Sequence, residues 1–264
     1  MLEPAAIRRM RAASGGFATS VWRVETHQGA YALRAFRAHE LGVLWREVAV
    51  QQHAAAAGLP VPRVHAVGTH EARPAMLTDW CPGRPLLESL RAEPWRLLQL
   101  GHAFGQLQRR MHRVQAPDGL RGTWVDWPKQ CEPALARRLR SLPLARDRLL
   151  HLDYHPLNVL ASGARLTAII DWTNAHAGDP RADVARTLTI LRLPPPGTVS
   201  GGERAVLCLF ELGWRAGYGS FGSSMAPFYA WAGAAMLADL AQRYAPGELE
   251  HARRWTAYWS KRAG

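Results

Sequence analysis

Lysine is almost absent from this chain. Only Lys129 and Lys261 occur, against 31 arginines among 33 basic residues. Any chemistry that needs a cation in the first half must therefore use arginine. No G-x-x-x-x-G-K sequence occurs, which excludes a Walker A phosphate loop. Cysteine is scarce as well. Cys81, Cys131 and Cys208 lie far apart, form no C-x-x-C pair and are odd in number. Neither a disulfide framework nor a cysteine-rich zinc site is expected, and a reduced, cytoplasmic setting is. The longest apolar run, Pro227 to Ala238, is too short to span a bilayer and reads as a buried helix, so no membrane partner is expected. Glu3, Arg8 and Arg9 leave no apolar core for a secretory signal. No internal repeat or low-complexity tract is visible.

What is present suits a soluble globular protein. The 264 residues are 48% hydrophobic, enough for one two-lobed unit or two small domains. The formal charge of +12 invites a nucleic-acid reading, but the excess is local. Residues 83–150 carry 13 basic and 6 acidic side chains, whereas residues 151–199 carry four of each. Nucleic acid is therefore not expected as the primary partner.

The richest stretch is residues 151–171. It places Asp153 five residues before Asn158, and Asp171 thirteen residues after Asn158. Between them, Asn158–Ala161 and Arg165–Ile170 read as strands joined by the turn Ser162-Gly163-Ala164. A hairpin returns its second strand to where the first began. Asn158 and Asp171 should then sit side by side at its open end, with Asp153 on the preceding loop. Two adjacent hard oxygen ligands suit Mg²⁺, and the nearby carboxylate is left to take a proton. Phosphoryl transfer from ATP or GTP needs this set. Protein kinases use the same D-x-x-x-x-N spacing followed by a later Asp. Here Leu152 stands in their arginine position, and Asp171-Trp172-Thr173 replaces Asp-Phe-Gly.

Upstream, Ser14-Gly15-Gly16-Phe17 precedes two strands that flank the turn His27-Gln28-Gly29. Glycines there let backbone N–H groups approach phosphate oxygens, although a Gly-Gly pair in a hairpin is most often just a turn. Arg34 is the cation available on the following strand, and it can clamp oxygens bidentately. Residues 39–57 read as a helix carrying Glu47, a candidate ion-pair partner for Arg34. Strands over 63–69 and 74–79 lead to the break Trp80-Cys81-Pro82-Gly83. That break is the expected lobe boundary, with adenine against backbone groups of Asp79, Trp80 and Cys81. Further helices are expected over 95–113, 133–150, 181–192, 202–219, 225–244 and 247–262. Asp179-Pro180 suits a helix start, and Asp183 on its first turn should point toward the catalytic loop, where it could bind backbone N–H groups, although a plain capping role accounts for it equally well.

These residues in this order resemble the aminoglycoside phosphotransferase family. That family comprises small-molecule kinases of protein-kinase-like fold, including choline and macrolide kinases. The resemblance covers most of residues 10–190. It is carried by His151-x-Asp153-x-x-x-x-Asn158, Ile170-Asp171-Trp172 and Gly178-Asp179-Pro180-x-x-Asp183-Val184-Ala185, supported by Ser14-Gly15-Gly16-Phe17, Arg46-Glu47 and Pro82-Gly83-Arg84-Pro85. It implies an α+β two-lobed fold: an N-terminal nucleotide-binding lobe (1–82) of antiparallel sheet plus helix, and a mainly helical C-terminal catalytic and substrate lobe (83–264). It implies Asp153 as catalytic base, Asn158 and Asp171 as Mg²⁺ ligands, Arg34 on the phosphates positioned by Glu47, and His151 and Asp183 as supports of the catalytic loop. The chain departs from the pattern at Leu152, where the family commonly has glycine, at Thr19, where it often has asparagine, and at Arg34, where it usually has lysine.

The implied activity is transfer of a γ-phosphate to a hydroxyl of a small molecule such as an aminoglycoside-, macrolide- or choline-like alcohol. Two other readings compete. One is a metal-dependent hydrolase built on His151, Asp153 and His155. The other is a catalytically idle kinase-like protein that binds nucleotide. The aromatics of the last 65 residues, Trp214, Trp231, Trp255 and Trp259 among them, could line an acceptor site, although helical core packing accounts for them more simply.

Overall fold

The computed structural model describes residues 7–13, 20–120, 124–127, 131–195, 197 and 200–263. The glycine turn, with Ser14, Gly15, Gly16 and Thr19, lies outside the described residues. The N-terminal part is an antiparallel sheet with one helix. Strands β1 (Ile7–Ala12), β2 (Ser20–Thr26) and β3 (Gly29–Ala35) precede helix α1 (Leu41–Ala56), and β4 (Val64–His70) and β5 (Arg73–Asp79) follow it. The spatial order is β1-β2-β3-β5-β4. β2 and β3 pair from Thr26↔Gly29 to Ser20↔Ala35, so the turn is the two residues His27 and Gln28, with Gly29 at φ 144°. α1 lays Leu44 and Val48 against Phe36 and Met76 of the sheet. Its later residues Val50 and Ala54, with Leu59, belong instead to the main core shared with the C-terminal helices.

The rest of the chain is mostly helical. A short strand β6 (Arg84–Pro85) leads into α2 (Leu86–Ala92), then α3 (Leu97–Met111) and α4 (Pro133–Ser141). Strands β7 (Arg148–Leu150), β8 (Val159–Ser162), β9 (Arg165–Ile169) and β10 (His176–Gly178) frame the loops of interest. Helices α5 (Pro180–Arg192), α6 (Gly201–Tyr218), α7 (Ala226–Leu240) and α8 (Glu250–Ala263) complete the chain. β6, β8 and β9 form one small sheet, and β7 and β10 another.

The helix starts follow local chemistry. Asp179 caps α5 by accepting from Arg181 N–H at 2.9 Å, with Pro180 at the first helical position. Ser200 and Glu203 form a capping box on α6. α7, apolar nearly all round, is buried along most of its length and packs between α5 and α8. α3 and α6 meet backbone to backbone through Gly101, Gly105, Gly213 and Gly217. A Cβ at Gly217 would fall on the carbonyl of His102, and one at Gly105 on the carbonyl of Trp214.

One expected element differs. The helix expected over 133–150 stops at Ser141, and Arg148–Leu150 pairs antiparallel with His176–Gly178. Pro143 removes a helical N–H, and the strand partner lies 28 residues downstream, beyond the reach of a local pattern. Among the described residues, no helix is long and apolar enough to cross a membrane.

Candidate active site

The loop from His151 to Asn158 joins β7 to β8, and nearly every polar group in it is held. His151 is fully buried. Its Nε2–H donates to the Ile170 carbonyl at 3.0 Å, and its Nδ1 accepts from Asp153 N–H at 3.3 Å. That pattern is the neutral imidazole, and burial holds its pKa below the ordinary value. His151 thus ties the backbone of Asp153 to the residue preceding Asp171. Asp183, also fully buried, accepts from Leu152 N–H at 2.5 Å, from Gln108 Nε2 at 3.2 Å and from His112 Nε2 at 2.8 Å. The expectation that Asp183 reaches back to the loop's N–H groups is met at Leu152. Leu152 itself sits at φ 58°, the left-handed region that glycine occupies without strain.

Asn158 donates from Nδ2 to both the carbonyl and the Oδ2 of Asp153, each at 3.0 Å, which leaves its amide oxygen for another partner. His155 Nδ1 accepts from Leu157 N–H at 3.2 Å, so Nε2 carries hydrogen and faces Asp153 Oδ1 at 3.5 Å. Burial alone would raise the pKa of Asp153. Its neighbour His155, then the Arg186 charge, outweigh it and hold this carboxyl far below the usual range. Asp153 is an anion at neutral pH: a weak base, well suited to orienting a hydroxyl.

The β8–β9 hairpin does what its spacing implies. Ile170 N–H donates to the Asn158 carbonyl at 2.9 Å, closing the end of the ladder where Asn158 and Asp171 meet. Asp171 adopts φ 62° and is half-exposed. Its Oδ1 accepts from Arg34 Nη2 at 2.8 Å and from the Thr173 hydroxyl at 2.5 Å. Arg34 gives its other terminal nitrogen to Glu47 Oε1 at 2.5 Å. Glu47 is buried on α1 and also accepts from Trp172 N–H at 3.2 Å. Burial pulls the Arg34 pKa down, but Glu47 and Asp171 more than offset it, so Arg34 stays charged. The expected Arg34–Glu47 pair is present. Two members of this cluster escaped the sequence reading: Thr173, which also accepts from Arg34 Nη2 at 3.1 Å, and Arg46, which donates to the Thr173 carbonyl at 2.6 Å. Their adjacency to Asp171 and Glu47 was the available signal.

A cleft of about 300 Å³ opens along this cluster. Val21, Ala32 and Met76 line one wall, Leu160 and Ile170 the other, and Arg34, Asn158 and Asp171 one end. Thr78 to Cys81 also line it. The Asp79 carboxylate is turned away to Arg63 N–H (3.0 Å) and His65 (2.6 Å). The N–H groups of Asp79 and Trp80 are bonded to the carbonyls of Arg63 and Ala30. Of these three residues, the Cys81 N–H is the one without a backbone partner among the described residues.

Asn158 and Asp171 offer two neighbouring hard oxygens. Among the described residues, no group of three or more His, Cys, Asp or Glu side chains converges as for a fully protein-bound metal. A two-oxygen set fits Mg²⁺, which keeps waters and takes its other ligands from phosphates. It does not fit the zinc hydrolase reading, because both nitrogens of His151 are already bonded.

Comparison with known proteins follows the same line. A family model described as a phosphotransferase enzyme family matches residues 9–128 and 118–219. The fold resembles a thermostable mutant of aminoglycoside phosphotransferase APH(4)-Ia, solved as a ternary complex with AMP-PNP and hygromycin B. The TM-score is 0.71 at 18% identity, covering 99% of this chain and 96% of that one. Spectinomycin phosphotransferase APH(9)-Ia, in complex with ADP and its antibiotic, gives a TM-score of 0.59 at 12% identity over 96% and 89% of the chains. In sequence, acyl-CoA dehydrogenase family member 10 of Mus musculus is 31% identical over 195 residues. The match takes in 60% of this chain and 18% of that protein, so the likeness concerns a small part of the mouse protein's length.

Proposed function

Because the chain belongs to the phosphotransferase enzyme family, we propose that it moves the γ-phosphate of ATP or GTP to a hydroxyl of a small molecule. Nucleotide binds in the cleft between the lobes 1–82 and 83–264, its base toward Cys81 and its phosphates toward Arg34. Asp153 accepts a hydrogen bond from the acceptor hydroxyl, aligns it in line with the γ-phosphorus and takes its proton as the new bond forms. Asn158 and Asp171 would hold Mg²⁺, which when bound neutralises charge on the phosphates. The single observation that carries this reading is the patch itself. Arg34, Asn158 and Asp171 line one cleft, the Asp171 carboxylate is bonded to Arg34, and the Asn158 amide is bonded to the Asp153 carboxylate beside it.

The acceptor class is an alcohol of aminoglycoside, macrolide or choline type. Trp214 and Trp231 are fully buried, which supports core packing over acceptor binding for them. The net charge of +12 works against long-range attraction of a polycation.

Thermal shift tests the reading without a known acceptor. Mg-ATP or Mg-GTP should raise the melting temperature. Asp171→Ala should weaken the metal-dependent part of the shift. Asp153→Asn should keep the shift yet abolish nucleoside diphosphate release. Equal turnover in wild type and Asp153→Asn removes Asp153 as the base, and a normal shift without turnover in the wild type supports an idle kinase.

A further inference from the structure

Three residues of α5 grip the backbone on both sides of Asp153. Asp183 accepts from Leu152 N–H. Arg186, one turn on, donates from Nε to the Leu152 carbonyl at 3.1 Å. Thr187 donates from its hydroxyl to the Tyr154 carbonyl at 2.9 Å. Both polar backbone groups of Leu152 are therefore held by side chains one helical turn apart. Leu152 is the residue in the left-handed conformation, and it directly precedes the catalytic candidate. For a residue with a Cβ that conformation is strained, so something outside the loop must hold it.

Arg186 is a costly way to do so. It is 2% exposed. Its Nη2 pairs with Asp239 of α7 at 2.8 Å, and its guanidinium lies over the Trp127 ring, 5.1 Å from the centroid. Among the described residues, its Nη1 is buried with no hydrogen-bond partner. A buried donor left unbonded is destabilising, and an apolar side chain of similar shape would avoid that cost. Stability does not explain an arginine here, whereas the hold on Leu152 does. The guanidinium is buried, so it acts on the reaction through its neighbours and not by touching a substrate.

We propose that Arg186 is a positioning residue: with Asp183 it clamps the left-handed Leu152 peptide and so fixes the direction in which Asp153 presents its carboxylate. Asp239 and Trp127 in turn hold the guanidinium. This rests on the kinase reading for its link to turnover, but not for the link to loop geometry.

The test uses the full chain, Mg-ATP and water as the acceptor, read as ADP release, together with hydrogen exchange of the segment 150–158. Arg186→Met keeps the bulk and removes the donors. It should lower kcat at least tenfold, with the KM for Mg-ATP within twofold of wild type. Exchange of the Leu152 and Asp153 amides should rise at least tenfold, while α3 and α6 keep their protection. Arg186→Lys, which restores one donor, should recover part of the rate. A kcat equal to wild type overturns the proposal, and so does a loss spread evenly over KM, kcat and exchange throughout α3 and α6. If Arg186→Met does not fold, Asp239→Ala decides. It alters a half-exposed residue, removes the acceptor of Nη2, and should give the same pattern in weaker form; no change in rate or exchange in Asp239→Ala overturns the clamp. If the wild type releases no more ADP than Asp153→Asn, the kinase reading fails, and exchange of the loop alone decides the role of Arg186.

Discussion

Asp183 is a fully buried carboxylate with three donors, and its ionisation is linked to folding. Burial alone would raise its pKa, but the hydrogen bond and charge of His112 and the hydrogen bond of the Gln108 amide hold it below the usual range. A depressed carboxylate binds fewer protons in the folded than in the unfolded chain. Its stabilisation is therefore present above about pH 4, the unfolded value, and is lost as pH falls through the folded one. Urea midpoints measured from pH 6 down to pH 2 should show this loss. Asp183→Asn should start lower at pH 6 and fall less over the same range; an equal slope in both proteins removes Asp183 from the linkage. The first-turn placement that aims Asp183 at the loop was legible because Asp179-Pro180 fixes where the helix starts. Arg186 was not legible, since its target is a carbonyl 34 residues upstream. It occupies the position one turn after Asp183, and that spacing becomes informative only once the loop is known to lie against α5.

At the scale of elements, the β8–β9 hairpin was readable because its strands and turn are contiguous, and its open end brings Asn158 to Asp171 as the spacing implies. The β7–β10 pair was not, since its strands are joined through the entire loop 151–158 and the hairpin. The contact of α3 with α6 was equally hidden. Gly101 and Gly105 mean little until Gly213 and Gly217 are set against them. These glycines are there for space, which allows a clear contrast. Gly217→Ala puts a methyl group on the His102 carbonyl, and should cost about 3 kcal/mol or more by overpacking. Gly202→Ala, in the first turn of α6 with nothing near its Cβ, should stabilise by about 0.5 to 1 kcal/mol through helix propensity. Urea unfolding of both variants checks the pair. Similar effects at the two sites would mean that helix propensity and not close approach governs both.

Across the molecule, the sheet and the helical region are joined in several places. Ile169 N–H donates to the Pro60 carbonyl at 2.7 Å, His53 Nε2 reaches the Gln115 carbonyl at 2.7 Å, and α1 adds Val50 and Ala54 to the main core. The sheet-then-helices order was readable from the sequence, but these ties were not, because each joins residues distant in sequence. The Arg34–Asp171 pair is the tie with consequences for ligands. On the proposed reading it joins the group meant for phosphate to the group meant for metal. Mg²⁺ alone would take Asp171 and leave Arg34 short of one anion. Phosphate alone would take Arg34 and leave Asp171 short of its cation. Arriving together, they leave neither unbalanced, so each should strengthen the other's binding by the same factor. Calorimetric titration should find Mg²⁺ alone undetectable at millimolar concentration and nucleotide at least tenfold tighter with Mg²⁺ than without. In Arg34→Met, metal alone should become detectable. Equal nucleotide affinity with and without metal would contradict this. The pair is then an interlock: the cleft rests electrically closed, and neither a stray cation nor a stray phosphate opens it alone.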